Sequence, residues 1–224
     1  PFRLSLKYKL VNSVLERLLG LVPLIKAYDA CQPNLSAEAF LDYTLNALET
    51  KVVLNGQPLT SELPETGATI VVANHPLGGL EGVALTRALL SVRPDTKVLT
   101  NQMLSGIPEL SENFLGVDVL GKKTAHRNTS GVRAADELLA QGGVLLVFPA
   151  GQVSANEWSN LTVQDRQWNH MVGRLALKHK TSCLPVFIHG KNPSYFYLAG
   201  LIHKRLRTML LPRQLTNKAG MSLT

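Results

Sequence analysis

The 224-residue chain contains few cysteines, few charged residues and no long apolar run. Its two cysteines, Cys31 and Cys183, lack the close spacing of zinc or redox motifs and fit a reducing compartment. No uninterrupted apolar stretch is long enough to cross a bilayer, and no secretory signal with a cleavage site is visible. Charged residues make up 17% of the chain and hydrophobic residues 45%, which predicts a single domain with a sizeable core.

Three catalytic signatures are missing from the sequence. Without a Gly-x-Ser-x-Gly motif the chain has no serine-hydrolase elbow, and without a P-loop it is not a nucleotide-binding protein of that class. His170, His179 and His203 do not have the spacing of zinc ligands, so we expect no metal site.

Acidic residues are absent after Asp165, whereas basic residues continue through the rest of the chain. We call this segment the basic tail; its lysines and arginines are Arg166, Arg174, Lys178, Lys180, Lys191, Lys204, Arg205, Arg207, Arg213 and Lys218. This uneven distribution of charge along the chain favours an anionic partner. Three kinds of partner fit: an anionic membrane surface, an acidic carrier protein and nucleic acid. A solvated basic face explains the same pattern without any partner.

The order of apolar patterns indicates an α/β fold with a largely parallel sheet flanked by helices. Residues 1–33 are predicted to form an amphipathic helical segment, and residues 34–224 a single domain. Strands are expected at 51–54, 69–73, 97–100, 144–148 and 184–188, and helices at 80–90, 130–139, 164–178 and 195–209. The chain starts at Pro1 rather than at a methionine, which is typical of a fragment. Because it ends at Thr224 without a closing helix, we expect it to be truncated at the C-terminus.

The apolar run 69–73 leads directly into Asn74-His75-Pro76-Leu77-Gly78-Gly79-Leu80-Glu81-Gly82. This pattern predicts a strand that delivers a histidine into a glycine-rich turn, followed by a carboxylate where a helix begins. A histidine can act as a general base, and a nearby carboxylate can fix its tautomer and stabilise the imidazolium. A loop histidine followed by an unrelated glutamate fits these nine residues equally well.

Two further strand ends carry unusual loops: Phe148-Pro149-Ala150-Gly151-Gln152-Val153-Ser154 and His189-Gly190-Lys191-Asn192, the second after the strand at Leu184-Pro185. In parallel α/β sheets, ligands bind outside the carboxyl ends of the strands. We therefore expect the three loops to meet at one site.

In these three blocks, and from about Phe40 to the C-terminus, the chain resembles the glycerolipid (lysophosphatidic-acid-type) acyltransferase superfamily. The closer resemblance is to its hemolysin-like, or ornithine-lipid O-acyltransferase, branch. It implies transfer of a fatty acyl group from an acyl carrier protein or coenzyme A thioester to a lipid hydroxyl, without a metal, a further cofactor or a covalent enzyme intermediate. His75 would be the base and Glu81 its orienting partner. The substrate-binding residues would be Asn74, Gly78, Gly79, Arg127, Pro149, Ala150, Gly151, Gln152, Pro185 and Asn192.

The chain departs from the superfamily pattern in two places. Five residues separate His75 from Glu81, where four residues and an Asp are usual, and Gly78 and Gly79 can absorb the extra residue. In the third block, Ala150 and Val153 replace a Glu and an Arg that help to bind a phosphate-bearing acceptor. An Arg fork suits phosphate, so its absence favours a lyso-ornithine or other lyso-aminolipid acceptor over lysophosphatidic acid, which stays the alternative.

Attachment to a membrane surface is the expected setting for this reaction. The leucine-rich, basic segment near the N-terminus fits a helix lying in the interface, although a helix packed on the core has the same pattern. With the basic tail, this predicts a peripheral protein on the cytoplasmic face of the membrane. A non-catalytic membrane-binding module is an alternative from another class, and no motif supports nucleic-acid binding.

Overall fold

The structure is a computed structural model that describes residues 9–117, 129–157, 160–218, 220 and 222–223. Its helices are α1 (Lys9–Leu18), α2 (Leu21–Asp29), α3 (Ala37–Ala47), α4 (Leu59–Glu62), α5 (Leu80–Leu90), α6 (Thr129–Ala140), α7 (Met171–His179), α8 (Ser194–Ile202), α9 (Lys204–Met209) and α10 (Leu211–Thr216). Its strands are β1 (Lys51–Val52), β2 (Thr69–Ala73), β3 (Lys97–Asn101), β4 (Phe114–Val117), β5 (Val144–Val147), β6 (Ala155–Glu157), β7 (Asn160–Gln164), β8 (Ser182–Val186) and β9 (Ser222–Leu223).

A five-stranded parallel sheet forms the centre of the fold, with the strand order β4-β3-β5-β2-β8. Strand β2 lies between β5 and β8, and Thr69 is aligned with Val144 on one side and with Ser182 on the other. Helices cover the sheet, as the loop–helix connections between parallel strands require. The predicted α/β fold with a largely parallel sheet is confirmed.

Both faces of β2 are buried because every residue of this strand is apolar or small. Val71 and Ala73 pack into a cluster that includes residues of α3 and α5, whereas Ile70 and Val72 pack against residues of α6 and α7. This alternation follows from the two-residue repeat of a strand. A strand that is buried on both faces is held rigidly, so the loop at its end has a fixed starting point.

The N-terminal segment is two helices rather than one. Gly20, with φ of 72°, separates α1 from α2, and a Cβ there would lie 2.5 Å from the Cα of Arg213. Helix α2 packs on the domain through Leu21 and through Tyr28, which makes an edge contact with Phe40. Helix α1 instead leaves apolar side chains exposed. No helix among the described residues is long and apolar enough to span a membrane.

Three elements differ from the sequence-based expectation. The stretch predicted as a helix over 164–178 begins with the end of a β6–β7 hairpin, and α7 starts only at Met171. The helix predicted over 195–209 is divided at His203, whose extended backbone ends α8 and whose imidazole accepts a hydrogen bond from the first turn of α9. Strand β1 is short and pairs with β9 rather than with the central sheet.

Candidate active site

The three loops that follow β2, β5 and β8 meet at one edge of the sheet, because these strands are neighbours. The backbone N–H of Ser154, after β5, donates to the carbonyl of His75, after β2, at 2.8 Å. The side chain of Asn192, after β8, donates to the carbonyl of Pro76 at 3.0 Å. The expected convergence of the three loops is therefore present in the structure.

His75 and Glu81 form a close pair at the centre of these loops. Nδ1 of His75 lies 3.0 Å from Oε1 of Glu81. Glu81 is in the first turn of α5 and is fully buried, while 18% of the His75 side chain remains accessible to solvent. Since Nδ1 itself is buried, this accessible surface belongs to the rest of the ring. The histidine thus faces the buried carboxylate with Nδ1 and faces solvent with another part of its ring.

The turn between the two residues holds the carboxylate in place. Oε1 of Glu81 accepts hydrogen bonds from the backbone N–H groups of Leu77, at 2.8 Å, and Gly78, at 2.7 Å. Gly78 has φ of 112°, and a Cβ at this position would lie 2.7 Å from Cδ2 of Leu211. The positive φ requires glycine here, whereas the terminal methyl group of Leu211 can shift to accept a Cβ. Gly79, just before α5, has φ of −90° and ψ of −34°, which any residue can adopt, so only Gly78 uses the conformational freedom of glycine.

A buried lysine, Lys218, interacts electrostatically with Glu81. Nζ of Lys218 donates to Oδ1 of Asn192 at 2.6 Å and to the carbonyl of Leu77 at 3.2 Å. Burial lowers the pKa of Lys218 to about 8, against the opposing effect of Glu81. Burial also disfavours the charged form of Glu81, but His75 and the N–H of Gly78 outweigh it and lower the pKa of this carboxyl. The carboxylate is therefore ionised in the interior, with cationic or polar groups around it.

Asn74 and Asn192 use their side chains to join the loops. The Asn74 amide donates to the carbonyl of Ile188 at 2.9 Å and accepts from the N–H of the same residue at 2.6 Å. The Asn192 amide binds Pro76 and Lys218, and its own N–H donates to the hydroxyl of Tyr197 at 2.8 Å. These contacts give both residues a positioning role in the site.

The loop after β5 forms one wall of the site. Phe148 lies against the His75 imidazole with a ring-centroid distance of 4.5 Å. Pro149, Ala150 and Gly151 line a cleft of about 530 Å³ together with residues that follow β7. The N–H of Gly151 donates to the carbonyl of Phe148 at 3.0 Å. The turn is thus stabilised by a bond that uses this donor.

The remaining residues that we predicted for the site occupy varied positions. Val153 is buried in an apolar cluster with Phe196 and Tyr197, which explains why an Arg would not fit at this position. Pro185 lies in the edge strand β8, where a missing N–H is tolerated. Arg127 lies outside the described residues. Among the residues that the structure describes, no cluster of three or more His, Cys, Asp or Glu side chains could hold a metal ion.

Sequence reasoning missed Asp165, which anchors the backbone of the loop after β2. Its Oδ1 accepts from the N–H of His75 at 3.3 Å and from the hydroxyl of Ser154, and its Oδ2 accepts from the indole of Trp168 at 3.1 Å. The only signal in the sequence is that Asp165 is the last acidic residue before the basic tail.

Two curated proteins are similar to this chain. The lyso-glycine lipid O-acyltransferase of Phocaeicola vulgatus is 26% identical over 168 residues, covering 75% of this chain and 57% of that protein. The enzyme of the same name from Bacteroides thetaiotaomicron is 28% identical over 172 residues, covering 75% of this chain and 58% of that protein. The chain therefore spans less than two thirds of the length of these relatives.

A family model described as Acyltransferase matches residues 43–215. The match contains all three loops at the edge of the sheet, including the paired His75 and Glu81. Since it also covers more than half of the sequence, this chain belongs to the Acyltransferase family.

Proposed function

We propose that the protein transfers a fatty acyl group from a thioester to the hydroxyl of a lyso-aminolipid. The observation that carries this proposal is the His75–Glu81 pair, with 3.0 Å between Nδ1 and Oε1, at the end of a buried strand and at the point where the three loops meet. The family match and the two relatives named lyso-glycine lipid O-acyltransferase support the same activity.

His75 acts as the general base in the proposed reaction. It takes the proton of the acceptor hydroxyl while that oxygen attacks the thioester carbonyl, and the Glu81 carboxylate stabilises the resulting imidazolium. The new C–O bond forms first, and the C–S bond then breaks as the tetrahedral intermediate collapses. The proton held by His75 leaves with the thiolate, so the products are the ester and a free thiol. The donor is acyl carrier protein or coenzyme A.

An amino-acid headgroup fits the acceptor side of this site better than a glycerol phosphate. The positions where phosphate-binding members of the superfamily carry a Glu and an Arg are occupied by Ala150 and the buried Val153. The relatives' names support an aminolipid with glycine as the amino acid. Ornithine is the other headgroup that the sequence resemblance implies, and lysophosphatidic acid is the alternative acceptor.

We infer that the protein works at the cytoplasmic face of a membrane as a peripheral protein. Helix α1 exposes Val14 and Leu18, which lie one turn apart and therefore on one face. Helices α8 and α9 expose Leu198, Ile202, Leu206 and Met209 next to the exposed basic residues Lys204 and Arg205. Apolar side chains flanked by lysine and arginine are the pattern of a surface that binds anionic lipid.

The test is acyl transfer by the purified protein, His75→Ala and His179→Ala. His179 is the matched control, because it also pairs with a carboxylate but lies away from the three loops. Acyl carrier protein and coenzyme A thioesters would be offered with lyso-glycine lipid, lyso-ornithine lipid or lysophosphatidic acid. We expect an aminolipid product from the wild type and His179→Ala, and loss of this product in His75→Ala.

Other outcomes separate the alternatives. A product from lysophosphatidic acid alone would overturn the acceptor proposal and retain the enzyme class. Liposome binding by the wild type, without His75-dependent transfer to any acceptor, would favour a non-catalytic membrane module. Binding of oligonucleotides that falls with added salt would support the nucleic-acid alternative.

A further inference from the structure

Arg207 is the one arginine of α9 that points into the protein, and only 7% of its surface is exposed. Its Nη2 donates to Oε1 of Gln152 at 3.4 Å. Among the described residues no carboxylate pairs with Arg207; the like charge of Arg166 acts on it, and Tyr197 has a smaller, opposite effect. Burial and this repulsion both lower the pKa of Arg207. A desolvated guanidinium beside another cation is costly unless an anion compensates it.

The surroundings of Arg207 connect it to the reacting groups. Gln152 belongs to the loop after β5 and lies two residues before Ser154, whose N–H binds the carbonyl of His75. Chain length alone keeps Gln152 and Ser154 within about 7 Å of each other. Arg166 lines the cleft together with Pro149, Ala150 and Gly151. Through Gln152, Arg207 is thus joined to the loop that lines the cleft and binds the backbone of His75.

We propose that Arg207, positioned by Gln152, binds the carboxylate of the acceptor headgroup. This inference rests on the proposed function and specifies its substrate. An amino acid that is joined to a fatty acyl chain through its amino group keeps a free carboxylate, whereas the site lacks an Arg at position 153 for a phosphate. Guanidinium and carboxylate form two parallel hydrogen bonds, and this geometry would fix the orientation of the acceptor.

The fold explains why this arginine is turned inward. Gly200 of α8 lies against the aliphatic part of Arg207, and a Cβ on Gly200 would be 3.0 Å from its Cδ. The neighbouring side chains of α9, Leu206 and Met209, are exposed on the surface that we assign to the membrane. A lyso-lipid lying in the membrane surface would therefore present its polar headgroup to the buried side of the same helix.

The experiment compares an N-acyl amino acid acceptor with its methyl ester, which removes the negative charge. The variants are Arg207→Gln, Arg207→Lys and the control Arg133→Gln, which changes an exposed arginine of α6 away from the surface assigned to the membrane. For the free acid, we expect Arg207→Gln to raise KM at least tenfold and Arg207→Lys to raise it less, with little change in kcat. For the methyl ester, we expect the wild type to have a higher KM than for the free acid. Arg207→Gln should change this KM by less than twofold. An equal loss on both acceptors would overturn the proposal, because it would indicate a structural role.

A binding measurement separates this proposal from the proposed function. Calorimetric titration with N-lauroylglycine, its methyl ester and lauryl phosphate needs no turnover. Binding of N-lauroylglycine that is lost in Arg207→Gln would support the site even if the wild type showed no acyl transfer. Tighter, Arg207-dependent binding of lauryl phosphate would overturn the carboxylate assignment. If Arg207→Gln fails to fold, Gln152→Leu and Arg207→Lys replace it, and unchanged affinity in both would overturn the proposal.

Discussion

The chain contains two His–carboxylate pairs with nearly the same separation and very different surroundings. His75 lies 3.0 Å from Glu81, and His179 lies 2.8 Å from Asp136. The second pair joins the end of α7 to α6, where Lys178 also binds both oxygens of Asp136. Lys178 and His179 hold the pKa of Asp136 below its ordinary value. Distance alone therefore does not distinguish the two pairs.

The difference lies in what surrounds the carboxylate. Glu81 is fully buried, and two backbone N–H groups fix one of its oxygens, whereas 30% of the Asp136 side chain is exposed and a flexible lysine shares it. A buried, fixed carboxylate can keep an imidazole in one orientation, whereas a surface ion pair is screened by water and salt. The first pair also lies where the three loops meet, with part of the His75 ring accessible to solvent. The surroundings therefore make the first pair the catalytic candidate.

The largest expected difference between the two pairs is in activity. His75→Ala removes the proposed base, and we expect acyl transfer to fall by about 10³-fold, since general-base catalysis contributes about 10²–10⁴-fold. His179→Ala should retain the wild-type rate. Initial rates with a saturating thioester and a lyso-aminolipid measure both. Equal losses in the two variants would remove the basis of the comparison.

Neutralising the two carboxylates is expected to have unequal effects as well. Glu81→Gln keeps an oxygen that can accept from Leu77 and Gly78 but removes the charge, so we expect a loss of about 10²-fold in kcat. Stability should change with pH too. Since the folded protein lowers the pKa of Glu81, its stabilising contribution is present above the unfolded value of about 4.5 and is lost as pH falls through the lower folded value.

Denaturant unfolding between pH 3 and pH 6 tests this sign. The stability of Glu81→Gln should decrease less than that of the wild type as the pH falls. Unchanged activity in Glu81→Gln would contradict the orienting role of Glu81. A loss of unfolding free energy at low pH identical to that of the wild type would contradict the lowered pKa.

The two regions also contain lysines that differ in burial. Lys218 has a folded pKa of about 8 and an unfolded value of 10.5, so between these values the unfolded chain binds more protons. Stability should therefore rise with pH across this window, by a contribution on the order of 3 kcal/mol. Lys218→Met should lose this rise, whereas Lys178→Met, which removes an exposed amine, should keep it. Urea unfolding at pH 7.5, 9 and 10 measures the slope, and a rise that persists in Lys218→Met would contradict the assignment.

A glycine near each His–carboxylate pair allows the effect of a glycine-to-alanine substitution on stability to be compared. Gly78→Ala places a Cβ at positive φ and against Leu211, so we expect a loss of about 2–3 kcal/mol in unfolding free energy. Gly173→Ala, in α7, meets no atom within 4 Å and should stabilise the protein by about 0.5–1 kcal/mol. Urea denaturation of both variants gives the values. An unchanged unfolding free energy in Gly78→Ala would mean that the turn between His75 and Glu81 tolerates another conformation.

The smallest effect is expected at the surface carboxylate. Asp136→Asn should leave both acyl transfer and thermal stability at wild-type levels, because exposed ion pairs contribute little. Melting curves at low and high salt, with parallel rate measurements, check this. A loss of activity in Asp136→Asn would show that the second pair communicates with the site.

Much of the site could be predicted because its residues are close together in the sequence. A buried strand, a glycine turn and a helix start place His75 and Glu81 within seven consecutive residues, and the three loops follow from the parallel order of the strands. The β6–β7 hairpin and the break at His203 were not predicted. Local patterns there are compatible with helix, and the hairpin is selected by packing against the rest of the domain.

The amino-acid sequence by itself determined the α/β class, the paired residues of the glycine turn and the family resemblance. Only the tertiary structure decided which distant residues support them. Asp165 lies 90 positions from His75 and directly precedes the basic tail, whereas Lys218 lies 141 positions from Leu77 and within that tail. The physical reason is that the periodicity of a sequence reports the contacts of one helix or strand with solvent or core. The contacts of a single buried charge depend on how separate segments pack together.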